Sequence, residues 1–278
     1  MWMATRLTLA LAACMTFAAA AQANCSATKI AIGHQRLFVD LGGNGPVTLV
    51  FEAGNGDDSR VWANLVPKAQ ALGVRTFVYD RAGLGQSDRR QGAYSIDKDV
   101  RALRGALDRC AVQGPVILVA HSYGGFIAHL LAAQDRRVAG MVLVDANIPA
   151  FFDPAETEAI VGRYRPQYAA LRAQAPALAE LLIPIIEAYP KTARRARAVA
   201  LPPALPVIDI VAERSWAETP DEAARMRAAH AAFVAANPRR SAMLADGSSH
   251  AVMKDRPDVV LAAITQMVAQ VRGEKTGR

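Results

Sequence analysis

Residues 119–125 read Val119-Ala120-His121-Ser122-Tyr123-Gly124-Gly125. The run before them, 115–120, is apolar and predicts a buried strand, and the run after, 126–133, is rich in alanine and leucine and predicts a helix. A serine at such a junction can be held at a strained backbone position with its hydroxyl clear of the top of a sheet. Strand and helix nearly touch there, so only small residues fit two places before and two places after it. Gly124 meets that demand fully and Ala120, the next smallest choice, nearly so. The helix start also leaves free backbone N–H groups beside the hydroxyl. A capping serine in a tight turn would explain the same seven residues, so the rest of the chain decides.

Upstream, 28–32 and 36–41 alternate as edge strands joined at Gly33-His34, and 42–46 (GGNGP) is a turn. Residues 47–51 predict a buried strand, followed by the loop Glu52-Ala53-Gly54-Asn55-Gly56. Asp58 or Ser59 can cap a single helix running to Ala71, with Val61, Trp62, Leu65 and Val66 on its buried face. Residues 74–79 predict the next strand, which ends in Asp80-Arg81-Ala82-Gly83-Leu84-Gly85-Gln86-Ser87. That loop lacks the spacing of a phosphate loop, and Gly-Leu-Gly alone does not make a dinucleotide site. A helix follows over 95–109, with Ser95 as its cap.

Downstream, 138–144 predict a buried strand ending at Asp145. The alternation of strand and helix stops at Asn147. Residues 152–200 carry no strand signal and read as helices at 156–173 and 177–188, interrupted by Pro154, Pro166, Pro176, Pro184 and Pro190. A strand returns at 206–212, then a helix at 221–236, a short strand at 240–244, the loop Asp246-Gly247-Ser248-Ser249-His250, and a closing helix at 257–271.

This rhythm predicts an α/β fold, with a mostly parallel, doubly wound sheet covered on both faces and a helical cap inserted after the strand ending at Asp145. Residues 24–146 and 205–278 would form the core, and 147–204 the cap. A hydrophobic content of 52% suits one large domain and excludes a disordered chain. The formal charge of +7 is spread along the sequence, apart from 191–197 (KTARRAR), which reads as a solvated helix face. No nucleic-acid module is present, so neither nucleic acid nor a membrane surface is an expected partner.

The first 23 residues read as a secretory signal: Arg6, an alanine-rich apolar stretch, then Ala21-Gln22-Ala23 as a cleavage site. Leu11-Ala12-Ala13-Cys14 resembles a lipoprotein box, but apolar residues continue past it. Export to the periplasm or medium is therefore expected, with Cys25 and Cys110 retained. Two cysteines in an exported protein commonly pair; a bridge and two separately buried thiols both fit the sequence.

A serine hydroxyl needs a base within hydrogen-bond reach, and the base needs an acceptor to fix its tautomer. Of five histidines, His34 lies in an edge hairpin, His121 precedes the serine, His129 lies down the following helix, and His230 lies in an alanine-rich helix. His250 alone sits in a small-residue loop that a parallel sheet would open on the same edge as Ser122. For the acid, Asp145 ends one strand and Glu213 the next, and Asp145 is favoured. Asp209 lies within a strand, and Asp246 is assigned to its own loop. An oxyanion needs two donors; the backbone N–H groups of Tyr123 and of Asn55, in its glycine-flanked loop, suit that task.

Taken in order, EAGNG, YDRAGLGQS, VAHSYGG, VLVDA and SSHAVMKDRP resemble the α/β-hydrolase superfamily, in particular its lid-bearing, serine-esterase-like α/β-hydrolase-1 group, over 37–271. The resemblance implies the α/β-hydrolase fold, Ser122 as nucleophile, His250 as base, and Tyr123 and Asn55 at an oxyanion hole, with no metal or cofactor. It departs from the pattern at Glu52, where many relatives carry histidine, and in the loop after 206–212, which lacks the usual aspartate. Haloalkane dehalogenases and epoxide hydrolases of this fold carry aspartate in place of the serine. The expected activity is cleavage of a small-molecule ester or related acyl bond through an acyl-enzyme. Lactone, amide and carbon–carbon hydrolysis, perhydrolysis, and a non-catalytic binding protein of the same fold are the alternatives. Neither substrate nor oligomeric state is legible.

Overall fold

The structure, a computed structural model, describes residues 24–273. The expected signal segment, with Cys14 and the Ala21-Gln22-Ala23 site, lies outside the described residues. The strands are β1 (Thr28–Ile32), β2 (Gln35–Gly43), β3 (Thr48–Glu52), β4 (Arg75–Tyr79), β5 (Val116–His121), β6 (Val138–Val144), β7 (Val207–Arg214) and β8 (Arg240–Ser249). They form one sheet in the order β1-β2-β4-β3-β5-β6-β7-β8. Only β1 and β2 run antiparallel to their neighbours; from β4 to β8 every pairing is parallel.

Side-chain alternation along the buried strands feeds two cores, as the twofold period of a strand requires. Val50, Leu118, Met141 and Leu143 face one layer, with Leu103 and Phe126. Leu49, Phe51, Ile117, Val119, Val142 and Val144 face the other, with Trp62 and Ile264. The first layer is covered by α2 (Ile96–Arg109), α3 (Gly124–Ala132) and α8 (Pro220–Ala235). The second is covered by α1 (Val66–Gln70), α9 (Val252–Asp255) and α10 (Pro257–Arg272). Between β6 and β7 lie α4 (Pro154–Tyr164), α5 (Tyr168–Gln174), α6 (Pro176–Glu187) and α7 (Tyr189–Arg197). Among the described residues no helix is long and apolar enough to cross a membrane.

Several local expectations change. The single helix expected to end at Ala71 is a 3-10 turn, Ser59–Trp62, capped by the Asp58 side chain, followed by the short α1. Pro67 stands at the start of α1 and lacks the N–H that a continuous helix would need there. Ser95 precedes α2, but its side chain makes no capping bond. Pro154, Pro176 and Pro190 begin helices, where a missing N–H costs nothing. Pro166 breaks 156–173 through a 3-10 turn. The basic run 191–197 lies on α7, whose Thr192, Ala193 and Ala196 are buried while Lys191 and Arg194 are exposed. Residues 246–249 continue β8, so His250 directly follows a strand end. Cys25 and Cys110 are bridged, with Cα atoms 5.8 Å apart, tying the N-terminal segment to the end of α2.

Candidate active site

The turn between β5 and α3 holds Ser122 at φ 50°, in the left-handed region that non-glycine residues seldom adopt. Its neighbours explain why the turn closes so tightly. A methyl group at Gly124 would stand 2.8 Å from the Ala53 carbonyl oxygen, and one at Gly125 2.9 Å from Ala146 Cβ and from Asn147 N. The second glycine is therefore as necessary as the first, a demand the sequence reading did not assign. The Asn147 N–H donates to the Ser122 carbonyl at 2.9 Å, and the Ser122 N–H to Val144 O at 3.4 Å. The elbow is thus laced to the end of β6.

That strand end carries Asp145, also left-handed at φ 43°, its own N–H donating to Ile210 O at 2.7 Å. The side chain is fully buried. Oδ1 accepts the Ala212 N–H at 3.0 Å, and Oδ2 accepts both His250 Nδ1 and Ser215 Oγ at 2.6 Å. Burial by itself would raise the pKa of this carboxyl. The His250 hydrogen bond and charge, with Ser215 and the Ala212 N–H, outweigh it and hold Asp145 below the usual aspartate range.

Glu213, the alternative acid, points elsewhere: it is about half exposed, accepts the Gly247 N–H at 2.6 Å and pairs with Arg214. Asp209 is buried against His230, whose Nδ1 donates to its Oδ2 at 2.8 Å. His129 donates to Val199 O. His121 lies against the site, its ring 4.5 Å from that of His250 and its Nε2 donating to the His250 carbonyl at 2.9 Å. Burial, then the neighbouring His250, push its pKa down to about 3, so it is a neutral packing partner of that ring at ordinary pH.

Ser122 and His250 line one cavity of about 270 Å³ with Asn55, Asn147, Ile160, Tyr164, Leu182, Ile186, Tyr189 and Trp216. The helices α4 and α6 supply its aliphatic wall. Among the described residues the backbone N–H groups of Asn55 and Tyr123 donate to nothing. The Tyr123 side chain turns away into the core, where its hydroxyl bonds that of Tyr94 and its ring packs on Phe126 and Tyr189. Beneath the Asn55 loop, Glu52 pairs with Arg81 and accepts the Tyr79 hydroxyl, all three buried. Burial outweighs the attraction of Arg81 and raises the Glu52 pKa.

The structure therefore brings Ser122, His250, Asp145, Asn55 and Tyr123 to one edge of the sheet, and leaves Glu213 outside. Sequence reading passed over Ser215, Asn147, Trp216 and Arg81, and weighed His121 only to set it aside as the base. Ser215 and Trp216 follow β7 at the position where an acid was sought, and that was the only signal that could have found them. An imidazole bound on Nδ1 to a buried carboxylate, with Nε2 unpartnered among the described residues, can accept a proton from a hydroxyl in the same cavity.

The model of the alpha/beta hydrolase family matches residues 49–263. Protein YqjL of Bacillus subtilis, itself uncharacterized, is 38% identical over 115 residues, 41% of this chain and 44% of that protein. A haloalkane dehalogenase of Mesorhizobium japonicum is 34% identical over 109 residues, 39% of this chain and 34% of that protein. The chain thus spans less than half the length of these two relatives. An esterase structure from Thermogutta terrifontis superposes with a TM-score of 0.63 at 19% identity, covering 85% of this chain and 94% of that one, a likeness of fold.

Proposed function

The chain belongs to the alpha/beta hydrolase family, and we propose that it is a serine hydrolase that cleaves small, uncharged esters or related acyl compounds through an acyl-enzyme. The observation that carries this reading is the 2.6 Å bond from His250 Nδ1 to the buried Asp145, with the rest of the His250 ring in the cavity that Ser122 lines.

In the first step Ser122 Oγ attacks the acyl carbon while its proton passes to His250 Nε2. The carbonyl oxygen becomes an oxyanion facing the Asn55 and Tyr123 N–H groups. The bond to the leaving oxygen then breaks, and His250 returns the proton to it. Water repeats the sequence on the acyl-serine, releasing the acid and restoring the hydroxyl. Asp145 stays ionised and orients His250.

A serine here also argues against the dehalogenation for which one relative is named. Displacing a halide with an alkoxide leaves an ether, which water does not cleave under these conditions; a carboxylate nucleophile leaves an ester, which it does. Among the described residues no lysine, arginine, aspartate or glutamate lines the cavity, so charged substituents would be buried without a partner, at substantial cost. Its volume lies at the small end of ligand pockets. We also propose export: the Cys25–Cys110 bridge suits an oxidising compartment, as does the signal-like leader.

A fluorophosphonate probe tests the central reading. It should label Ser122 in the folded protein, and Ser122→Ala should abolish both labelling and turnover of p-nitrophenyl butyrate without unfolding the chain. Turnover retained in that variant, or no labelling of the native chain, would overturn it.

A further inference from the structure

We infer that Arg81 is a positioning residue that sets the oxyanion-binding direction of the Asn55 N–H, acting through the peptide group between Gly54 and Asn55. The inference rests on the acyl-transfer reading above.

The Gly54 carbonyl and the Asn55 N–H belong to one peptide unit. That unit is planar and trans, as are all the described peptide bonds, so its oxygen and its N–H point in opposite directions. Whatever grips the oxygen on one side aims the hydrogen on the other. Arg81 Nη2 donates to that oxygen, and Nη1 donates to the preceding carbonyl, Ala53 O, at 2.6 Å. The Asp57 N–H reaches Gly54 O as well, at 3.3 Å. The Ala53 oxygen is also the atom that a methyl at Gly124 would strike. The loop is thus clamped between the nucleophile's own turn and a guanidinium.

Two successive carbonyls at fixed spacing match the two Nη atoms of a planar fork, a match that the single ammonium of lysine cannot make. The fork is itself fixed: Nη1 also pairs with Glu52 Oε1, and Glu52 Oε2 accepts the Tyr79 hydroxyl. The Arg81 and Glu52 side chains are 2% and 1% exposed. A cation held against the carbonyl end of a peptide, away from water, polarises that peptide and leaves its N–H more positive. The gain appears when the negative oxygen forms, which is the condition for lowering a barrier rather than tightening substrate binding. Glu52 and Arg81 reach this position from the ends of β3 and β4, adjacent parallel strands.

The test compares Arg81→Lys and the paired Glu52→Gln/Arg81→Gln variant with the native enzyme. The pair removes both charges, so it leaves no isolated ion buried. Active sites are first counted by complete fluorophosphonate labelling, so that misfolded protein does not enter the rate. With p-nitrophenyl butyrate, kcat per labelled site should fall about a hundredfold, with KM moving less than about threefold. A trifluoromethyl ketone adds to the serine and carries its oxyanion in the same hole, so its inhibition constant should weaken by the same factor. A merely structural role would lower the number of labelled sites and leave kcat per site unchanged. Either variant with native kcat per site, or with native affinity for the ketone, overturns the inference while leaving the hydrolase reading intact. A native chain that neither labels nor turns over esters removes that reading, and this inference with it.

Discussion

Ser215 Oγ donates to Asp145 Oδ2 at 2.6 Å, on the same oxygen that receives His250 Nδ1. With the Ala212 N–H on Oδ1, the carboxylate is surrounded by donors that favour its ionised form. Asp145→Asn should therefore reduce kcat about 10⁴-fold by removing the acceptor that fixes the imidazole. Glu213→Gln, half exposed and bonded among the described residues only to Gly247 and Arg214, should stay within about twofold. Steady-state kinetics on p-nitrophenyl butyrate decide; the reverse ranking would move the acid to Glu213.

His121 gives the fold an acid sensitivity with a definite sign. Its folded pKa is pushed down to about 3, whereas the unfolded chain titrates it near the ordinary 6.5. Between those values the unfolded state holds a proton that the folded state refuses, so stability falls as pH falls. The slope approaches about 1.4 kcal/mol per pH unit in that window. Urea midpoints at pH 7, 6, 5 and 4 should drop for the native chain and drop less for His121→Gln; equal slopes would contradict this.

Gly124→Ala places its methyl group 2.8 Å from backbone and 2.8 Å from Glu52 Cγ. Neither the Ala53 carbonyl, held by Arg81, nor the elbow can give way cheaply. A loss of about 1–3 kcal/mol in chemical denaturation is expected, with kcat reduced together with stability. A variant of native stability would show that the turn is looser than its contacts imply.

Ile186 and Leu182 of α6 form part of the cavity wall. Ile186→Ala adds space at the aliphatic wall of a small pocket. In a series of p-nitrophenyl esters from acetate to decanoate, the native enzyme should favour the shorter chains and the variant should shift its optimum to longer ones. An unchanged profile would place the acyl group elsewhere.

The Cys25–Cys110 bridge closes a separation of 85 residues. Loop-closure entropy for that length is about 4.6 kcal/mol as an upper figure. Cys110→Ala, or reduction with dithiothreitol, should lower stability by about 2–4 kcal/mol while leaving kcat nearly unchanged, because the bridge joins the N-terminal segment to the end of α2, and neither supplies a residue to the cavity that Ser122 and His250 line. Guanidinium titrations with and without reductant measure it.

The sheet and the elbow were legible because apolar runs of strand length, and glycines at a turn, follow directly from packing and steric limits. His250 was legible because its loop could only open on one edge. Asp145 was legible as a candidate, but choosing it over Glu213 depended on which way each side chain leaves its strand end, and no local spacing encodes that. Ser215 and Arg81 were invisible for a similar reason: each acts through a partner 70 and 27–29 residues away. The helices between β6 and β7 were seen as helices, but the positions of their breaks depended on prolines that start some helices and interrupt others.

The rings around Tyr123, the residue after Ser122, bear on how the cap is held. Tyr123 packs on Tyr189 of α7, Tyr189 on Phe126 and Phe152, and Phe152 on Trp216, with centroids 5.0–6.1 Å apart in the wider cluster. Swinging α7 outward would pull this stack apart and expose it to water. Displacing α7 thus carries an energetic penalty in lost aromatic contacts, whereas Tyr164, also on the cavity lining, already reaches the surface without any such movement.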